Sequence, residues 1–139
     1  MLFRRFNKEA NENEYLLHKR INSYFADHYS VPGGHIDDYE TPVECVIREG
    51  MEELGVTLKP EDIKFVNVIY RSRPDKNDVR IDFCHVIESW EGEMRVKEPE
   101  KHEEPFWCVI SQFPKPMVPY VEEAIKDIES GKIYSEANI

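Results

Sequence analysis

The sequence predicts an α/β fold, in which two helices pack against a mixed β-sheet as an α/β sandwich. One segment in the middle of the chain, residues 42–54, carries the start and stop signals of a helix. A second segment, residues 119–130, has apolar residues at helical spacing. The segments around them are short and rich in β-branched and aromatic residues, which favours strands. Because the chain has 139 residues, we expect one domain that spans residues 1–139.

Two strands are predicted at the start of the chain, at residues 2–6 and 15–21. The polar run Asn11-Glu12-Asn13 between them favours a turn, so the two strands should pair. Residues 29–34 are extended and end in a loop at Pro32-Gly33-Gly34.

The central helix is predicted from Pro42 to Leu54. Thr41 is the expected N-cap, Pro42 suits the first helical position, and Glu44 completes a capping box. Gly55 stands where a left-handed residue would end the helix.

Three strands and the last helix are predicted in the second half of the chain. The strands are expected at residues 64–71, 79–89 and 106–110. The helix at 119–130 should be closed by Gly131. Its apolar face is expected to hold Val121, Ala124, Ile125 and Ile128.

Composition limits the partners that the chain can have. The formal net charge is −10, which disfavours polymeric DNA or RNA because phosphate backbones need lysine and arginine surfaces. An acidic enzyme can still bind a polyphosphate if metal ions lie between the two anions. The sequence has no apolar run of about 18 residues, so we expect no membrane partner.

The cysteines and the N-terminus indicate a cytoplasmic protein. Cys45, Cys84 and Cys108 are odd in number and have no CxxC spacing, so neither a disulfide scaffold nor a zinc site is favoured. Each lies in an apolar stretch, and we expect buried free thiols in a reducing compartment. The basic N-terminus has no apolar segment behind it, so no secretory signal is predicted.

The central helix carries an unusual group of carboxylates. Val43, Ile47, Gly50 and Leu54 share one face, which is the expected core face. Glu49, Glu52 and Glu53 crowd together on a neighbouring face, where like charges repel. Arg48 is four residues before Glu52 and relieves part of this repulsion. These residues alone leave two interpretations open: a solvated acidic surface, or a site for a hard cation such as Mg²⁺, which prefers oxygen ligands.

The loop before this helix favours the cation site, because its glycines let the backbone approach a ligand closely. The whole stretch from Gly34 to Val56 resembles the Nudix box, G-x5-E-x7-R-E-U-x-E-E-x-G-U, where U is a bulky apolar residue. All of its fixed letters are present: Gly34, Glu40, Arg48, Glu49, Glu52, Glu53 and Gly55. Val56 fits the second apolar position, whereas Gly50 departs from the first.

The resemblance extends over most of the chain. The strand ending at Arg20 is similar to the family's strand before the Pro-Gly-Gly turn. Later segments resemble one branch of small bacterial-type Nudix proteins, the MutT-like nucleotide pyrophosphohydrolases. They lie at residues 80–83, 90–93, 98–104 with Trp107, and 119–136. The resemblance implies a Nudix α/β/α sandwich.

The resemblance also implies a mechanism. Glu49, Glu52 and Glu53 would bind Mg²⁺, for which Mn²⁺ is an expected substitute, with the Gly33 carbonyl as a further ligand. The metal would neutralise the diphosphate and orient a water for attack on phosphorus. Glu52, Glu53 or a carboxylate outside the box would take the proton from the water. Glu104 is our expectation for the outside carboxylate, with Glu103 and Glu100 as alternates.

Other residues have supporting roles in this prediction. Glu40 and Arg48 should pair and hold the loop to the helix, and the box glycines Gly34 and Gly55 are also structural. Arg20 and His35 are candidates for contact with the substrate. Gly50 places no side chain on the core face, and we expect a bulky residue such as Phe65, Phe83 or Tyr70 to fill the space.

The expected activity is hydrolysis of a phosphoanhydride bond in a small nucleoside di- or triphosphate derivative. A free or oxidised (d)NTP is the first candidate, and a nucleotide sugar or a dinucleotide is the second. Two alternatives from other classes are a catalytically silent Nudix domain that binds a ligand, and an unrelated acidic interaction domain. The oligomeric state stays open, a homodimer included.

Overall fold

Within residues 1–138, which the computed structural model describes, seven strands and two α-helices form the fold. The strands are β1 Leu2–Asn7, β2 Glu12–Lys19, β3 Tyr29–Ser30, β4 Ile63–Arg73, β5 Asp78–Ile87, β6 Phe106–Val109 and β7 Tyr134–Asn138. The helices are α1 Pro42–Leu54 and α2 Pro119–Glu129. Short 3-10 turns cover Pro60–Asp62, Pro74–Lys76 and Ile110–Gln112.

The sheet is mixed, and its strand order is β3-β2-β1-β5-β4-β7, with β6 also paired to β2. The pairs β1–β2, β2–β3, β2–β6 and β4–β5 are antiparallel. The pairs β1–β5 and β4–β7 are parallel. The β1–β5 pairing joins Leu2 to Val86 and Phe3 to Ile87, and it connects the two halves of the sheet.

The core has one apolar cluster for each helix. Leu2 and Leu17 pack with Val121 and Ile125 of α2. Phe3 packs in the other cluster with Val46 and Leu54 of α1, because neighbouring side chains of a strand point to opposite faces. The predicted α/β sandwich with a mixed sheet is therefore confirmed.

Helix α1 begins and ends where the sequence predicted. The Thr41 side chain accepts a hydrogen bond from the Glu44 backbone, and the Glu44 side chain accepts one from the Thr41 backbone. Gly55 caps the other end at φ 69°, in the left-handed region. These two caps set the axis of the helix that carries most of the candidate site.

The helix faces differ in part from the prediction. Val46, Gly50 and Leu54 are buried, whereas Val43 and Ile47 are half-buried. The side chain that fills the space at Gly50 is Leu58, since a Cβ built on Gly50 would lie 2.8 Å from Leu58 Cδ1. The expectation of a bulky neighbour is thus confirmed, but the three suggested residues were wrong. Phe65, Phe83 and Tyr70 are instead exposed on the sheet.

The remaining elements match in kind and differ at their ends. The first two strands pair as predicted, but Glu12 and Asn13 belong to β2 and the turn occupies residues 8–11. Helix α2 buries the four predicted apolar residues. Strand β3 lies within the segment that was predicted to be extended, and β7 was not predicted. Each is polar or short and becomes a strand through its partner in the sheet.

The cysteines are free thiols, with Cys45 buried and Cys84 and Cys108 half-buried. Across residues 1–138, neither helix combines the length and apolar surface that a bilayer crossing requires.

Candidate active site

The glycine loop lies directly against the carboxylates of α1. The Gly33 backbone N–H donates to Glu53 Oε2 at 3.1 Å. A Cβ built on Gly34 would lie 2.0 Å from Glu49 Oε1, so a side chain here would collide with that carboxylate. Pro32, the first residue of the loop, is fully buried. The loop therefore contacts two of the three predicted carboxylates, Glu49 and Glu53.

Arg48 joins the loop to the helix. Its Nε and Nη2 atoms donate to the two oxygens of Glu40 at 2.7 and 3.0 Å, a bidentate pair. Its Nη1 donates to Glu49 at 2.9 Å and to Glu52 at 3.1 Å. Nη2 also donates to the His35 carbonyl at 2.9 Å. The predicted contact between Glu40 and Arg48 is present, and the same guanidinium contacts two more carboxylates.

The three carboxylates of α1 differ in their exposure. Glu49 and Glu53 are buried, at 9% and 5% exposure, whereas the Glu52 side chain is 53% exposed. The sequence placed all three beside the core face, and the structure shows that two of them are covered by the loop. Burial raises the pKa of Glu49, the Glu53 charge adds to this effect, and Arg48 opposes it.

A second segment, between β5 and β6, adds to this group. Glu98 and His102 lie beside Glu53, and the three offer ligand atoms that are all within 4.8 Å of one another. His102 Nε2 lies 3.6 Å from Glu53 Oε1. The His102 ring stacks on the buried His18 of β2 at 4.0 Å between centroids. Burial is the main cause that lowers the pKa of His18, to about 3.

The structure does not bring Glu104 to the carboxylate cluster. Glu104 is exposed, and within residues 1–138 it lines neither of the two cavities described below. The chain is already turned towards β6 at this point, because the Glu103 N–H donates to the Lys19 carbonyl at 3.0 Å. Glu103 and Glu100 are exposed as well. The carboxylate that this segment places beside Glu53 is Glu98.

Sequence reasoning missed Glu98 and His102. They lie on a segment with no helix or strand, so no periodicity relates their spacing to their positions in space. The one sequence signal for a functional residue here was the high number of glutamates in residues 98–104, and it does not indicate which of them joins the site.

The residues present fit a divalent cation. Glu49 and Glu53 are buried, and Arg48 is shared among three glutamates. Buried anions are stable when they are paired or coordinate a metal. The raised pKa of Glu49 shows that the ionised form is not fully compensated. Carboxylate oxygens are also the ligands that Mg²⁺ and Mn²⁺ prefer.

Two cavities meet at this cluster. The smaller, about 360 Å³, is lined by Glu49, Glu52, Glu53, Glu98 and His102 among others. The larger, about 900 Å³, extends between the glycine loop, β4, β5 and the start of α2. Arg20 and His35, the two predicted substrate contacts, line both cavities. They therefore stand where a ligand that spans the two cavities would pass.

The larger cavity is lined by basic and aromatic side chains. Arg71 forms a bidentate ion pair with Asp82, and its guanidinium lies 3.9 Å from the centre of the Tyr120 ring. Arg80 Nη1 lies 3.1 Å from His35 Nε2. Tyr24, Arg73 and Phe83 also line this cavity. Its volume lies within the range of about 300–1,000 Å³ that small-molecule sites occupy.

Comparison with known proteins identifies the family. The family model described as the NUDIX domain matches residues 5–128. An 8-oxo-dGTP diphosphatase of Escherichia coli (strain K12) is 32% identical over 96 residues, which cover 69% of this chain and 71% of that protein. An ADP-ribose pyrophosphatase of Methanocaldococcus jannaschii is 33% identical over 119 residues, which cover 84% of this chain and 66% of that protein.

The fold agrees with these sequence relatives. The crystal structure of a MutT NUDIX hydrolase from Burkholderia pseudomallei superposes with a TM-score of 0.73 at 30% identity, and covers 81% of this chain and 86% of that one. The matched sequence includes the glycine loop, Arg48 and the three carboxylates of α1. The chain therefore belongs to the Nudix family and is a Nudix pyrophosphohydrolase.

Proposed function

We propose that this chain hydrolyses a phosphoanhydride bond in a nucleoside triphosphate or a modified form of one, in a reaction that requires Mg²⁺ or Mn²⁺. The observation that carries the proposal is the junction of the two cavities at Glu49. One cavity holds the buried carboxylates, and the other has the size and lining for a nucleoside. By their names, one relative acts on 8-oxo-dGTP, a modified nucleoside triphosphate, and another acts on ADP-ribose.

Each group of residues has a part in the proposed mechanism. Glu49 and Glu53 would hold the cation, with Glu98 and the Gly33 carbonyl as further donors. A cation at this position would neutralise charge on the diphosphate and favour attack of water on phosphorus. Arg20 and His35 contact the phosphates between the two cavities. The tyrosine and arginine side chains of the larger cavity hold the base by stacking and hydrogen bonds.

The proton of the attacking water goes to a carboxylate. Glu52 is the candidate within the helix, because it is exposed to solvent and fixed by Arg48. Glu98 is the candidate from outside the box, because it lies beside Glu53. A positioned general base contributes roughly 10²–10⁴-fold to a rate, so either assignment has a large expected effect.

Matched glutamine variants separate these roles. We expect Glu53→Gln to lower both Mn²⁺ affinity and turnover, the latter by at least about tenfold. The general base is whichever of Glu52→Gln and Glu98→Gln loses turnover while it retains Mn²⁺ affinity. Glu104→Gln is the control for a glutamate of the same segment that lies outside both cavities. If Glu104→Gln lost turnover and Glu98→Gln did not, Glu104 would replace Glu98 as the carboxylate that acts from outside the Nudix box.

A panel of substrates tests the activity itself. The full chain is incubated with dGTP, 8-oxo-dGTP, the other dNTPs and ADP-ribose, with and without Mg²⁺. The nucleoside mono- and diphosphate products are quantified by chromatography, because ADP-ribose hydrolysis yields AMP and no inorganic phosphate. We expect metal-dependent hydrolysis of at least one triphosphate that Glu53→Gln abolishes. No metal-dependent hydrolysis of any member of the panel would refute the proposal.

ADP-ribose is the second candidate because of the arginines in the larger cavity. Arg71, Arg73 and Arg80 lie there against two aspartates, Asp78 and Asp82. These three arginines and two aspartates sum to one formal positive charge, although the whole chain has a net charge of −10. Such a lining suits a substrate with polar groups on both sides of its diphosphate. A higher kcat/KM for ADP-ribose than for every triphosphate would favour ADP-ribose as the substrate.

A further inference from the structure

His102 directs one ring nitrogen towards the carboxylate cluster. Its Nε2 lies 3.6 Å from Glu53 Oε1, which is too long for a hydrogen bond. The other nitrogen, Nδ1, is buried and has no hydrogen-bond partner within residues 1–138. His102 Nε2 therefore faces Glu53 without forming a hydrogen bond to it.

The separation between His102 Nε2 and Glu53 Oε1 suits two ligands of one ion. Glu53, Glu98 and His102 offer atoms that all lie within 4.8 Å of one another. For bonds of about 2.1 Å, adjacent octahedral ligands lie about 3 Å apart and opposite ligands about 4.2 Å. The separation of 3.6 Å between Nε2 and Oε1 lies between these two values.

The imidazole ring is held in place by its surroundings. The His102 side chain is 13% exposed. Its ring lies parallel to that of His18, with an interplanar angle of 8°. The backbone of His102 bridges to Arg20 and donates to the Glu98 carbonyl at 3.2 Å. A ligand whose rotamer is fixed before the metal arrives loses less entropy on binding.

An imidazole among carboxylates changes which ions a site prefers. Mg²⁺ takes oxygen ligands and keeps several waters. Imidazole nitrogen suits later first-row ions, which follow the order Mn²⁺ < Fe²⁺ < Co²⁺ in affinity. A site built from Glu53 and Glu98 alone would lack this nitrogen donor.

We propose that His102 Nε2 is a ligand of the cation bound by Glu53 and Glu98, and that it makes this site selective for Co²⁺ and Mn²⁺ over Mg²⁺. The inference rests on the proposed function in so far as that function requires a cation at this cluster. It adds a nitrogen donor and an order of preference among divalent ions.

The first test compares metal affinities without any turnover. Dissociation constants for Mg²⁺, Mn²⁺ and Co²⁺ are measured by calorimetry on the full chain, on His102→Gln and on His28→Gln. His28 is a half-buried histidine outside both cavities and serves as the control. We expect His102→Gln to weaken Co²⁺ binding at least about tenfold. Mg²⁺ binding should change less than about threefold, because Mg²⁺ prefers oxygen ligands and gains little from the imidazole. An unchanged ratio of the two affinities would overturn the proposal.

The second test uses the unmodified chain, so it does not depend on the folding of a variant. Histidine side chains are labelled with ¹⁵N, and Zn²⁺ or Mg²⁺ is added to saturation. We expect the His102 Nε2 resonance to move on addition of Zn²⁺, while that of His28 stays in place. A stationary His102 resonance at saturating Zn²⁺ would overturn the proposal.

The outcomes distinguish this inference from the proposed function. If the His102 resonance moves but no nucleotide is hydrolysed, the metal ligand stands and the proposed activity fails. If triphosphates are hydrolysed with Mg²⁺ but His102→Gln leaves the ratio of the Co²⁺ and Mg²⁺ affinities unchanged, the activity stands and the ligand assignment fails.

Discussion

Gly34 shows how a single residue can be fixed by the chemistry of its neighbour. The position of its missing Cβ is already occupied by the Glu49 carboxylate, at 2.0 Å from Oε1 and 2.3 Å from Cδ. The Glu49 side chain is buried, so it has little room to move away. The first glycine of the Nudix box is therefore required here for space, because any side chain would displace a proposed metal ligand.

The first prediction concerns Gly34→Ala. The added methyl group should displace the Glu49 carboxylate and lower turnover by at least about tenfold, because small misplacements of catalytic groups cost up to about 10² in rate. Steady-state kinetics with saturating Mn²⁺ measures this loss. Gly33→Ala is the comparison, since its Cβ would meet the Met1 amino nitrogen at an ordinary 3.7 Å. Equal losses in the two variants would contradict the steric explanation.

Glu40 provides the second prediction, on pH. Hydrogen bonds from Arg48, and next the Asp37 backbone N–H, lower the pKa of Glu40 from 4.5 to about 2. A carboxyl group whose pKa is lowered by folding stabilises the protein above its unfolded pKa. This contribution is lost as the pH falls from 4.5 towards 2.

Urea unfolding of the wild type and of Glu40→Gln between pH 7 and pH 3 measures the effect. We expect the variant to be less stable at pH 7, and the difference to narrow below about pH 4.5. A difference that stays constant over the whole range would show that the ionised Glu40 does not contribute to stability.

At the scale of elements, helix α1 is the part of the chain whose sequence and structure agree most closely. Its capping box and its glycine stop are both formed as predicted, since these signals act within a few residues. Which of its faces is covered is not a local property. Glu49 and Glu53 are buried because the loop at 32–34 folds over them.

Gly50 is the second place where α1 depends on a distant element, and it gives the third prediction. A methyl group at Gly50 would lie 2.8 Å from Leu58 Cδ1, so Leu58 must move. Overpacking costs about 1–3 kcal/mol, and the gain in helix propensity offsets about 1 kcal/mol of this. We therefore expect Gly50→Ala to lower the free energy of unfolding by about 0–2 kcal/mol.

A double-mutant cycle isolates the contact. In a Leu58→Ala background the colliding methyl group is gone, and Gly50→Ala should then stabilise the protein by about 1 kcal/mol. Chemical denaturation of the four proteins provides the values. The same effect of Gly50→Ala in both backgrounds would mean that Leu58 does not limit the space.

Strands β3 and β7 show the limit of local prediction. β3 has two residues and is defined by its pairing with His18 and Lys19. β7 lies beside β4, and Ser135 is fixed there by hydrogen bonds with Asn67 and Asp127. Neither strand has an alternating apolar pattern, so its conformation comes from the partner strand.

At the scale of the whole molecule, two electrostatic properties stand out: the chain is acidic, and α1 carries two buried glutamates. The formal net charge is −10, and Glu49 and Glu53 are both buried against the glycine loop. The fold therefore carries an electrostatic cost that a bound cation would remove.

The fourth prediction is that a divalent ion stabilises the fold. At about 100 times its dissociation constant, a ligand that binds the native state alone adds about 2.7 kcal/mol. We expect Mn²⁺ to raise the free energy of unfolding by about this amount, and Glu53→Gln to lose most of the gain.

Thermal melts at constant ionic strength, balanced with NaCl, separate this effect from general screening of the negative charge. An equal rise in melting temperature for the wild type and for Glu53→Gln would place the ion elsewhere on the surface.

By itself the sequence determined the fold class, the limits of α1 and the family. Each of these depends on spacing along the chain: the apolar period of helices and strands, the caps of α1, and the fixed letters from Gly34 to Val56. The pairing of Glu40 with Arg48 was also within reach, because both residues belong to that motif.

The tertiary structure alone decided which outside residues join the site. Glu98, rather than the expected Glu104, lies beside Glu53, and His102 stacks on His18 from a different strand. The same applies to Leu58 below Gly50 and to the cavity between β5 and α2. These contacts join segments that are far apart in sequence or lack a regular period, and their distances follow from how the sheet and its connections pack.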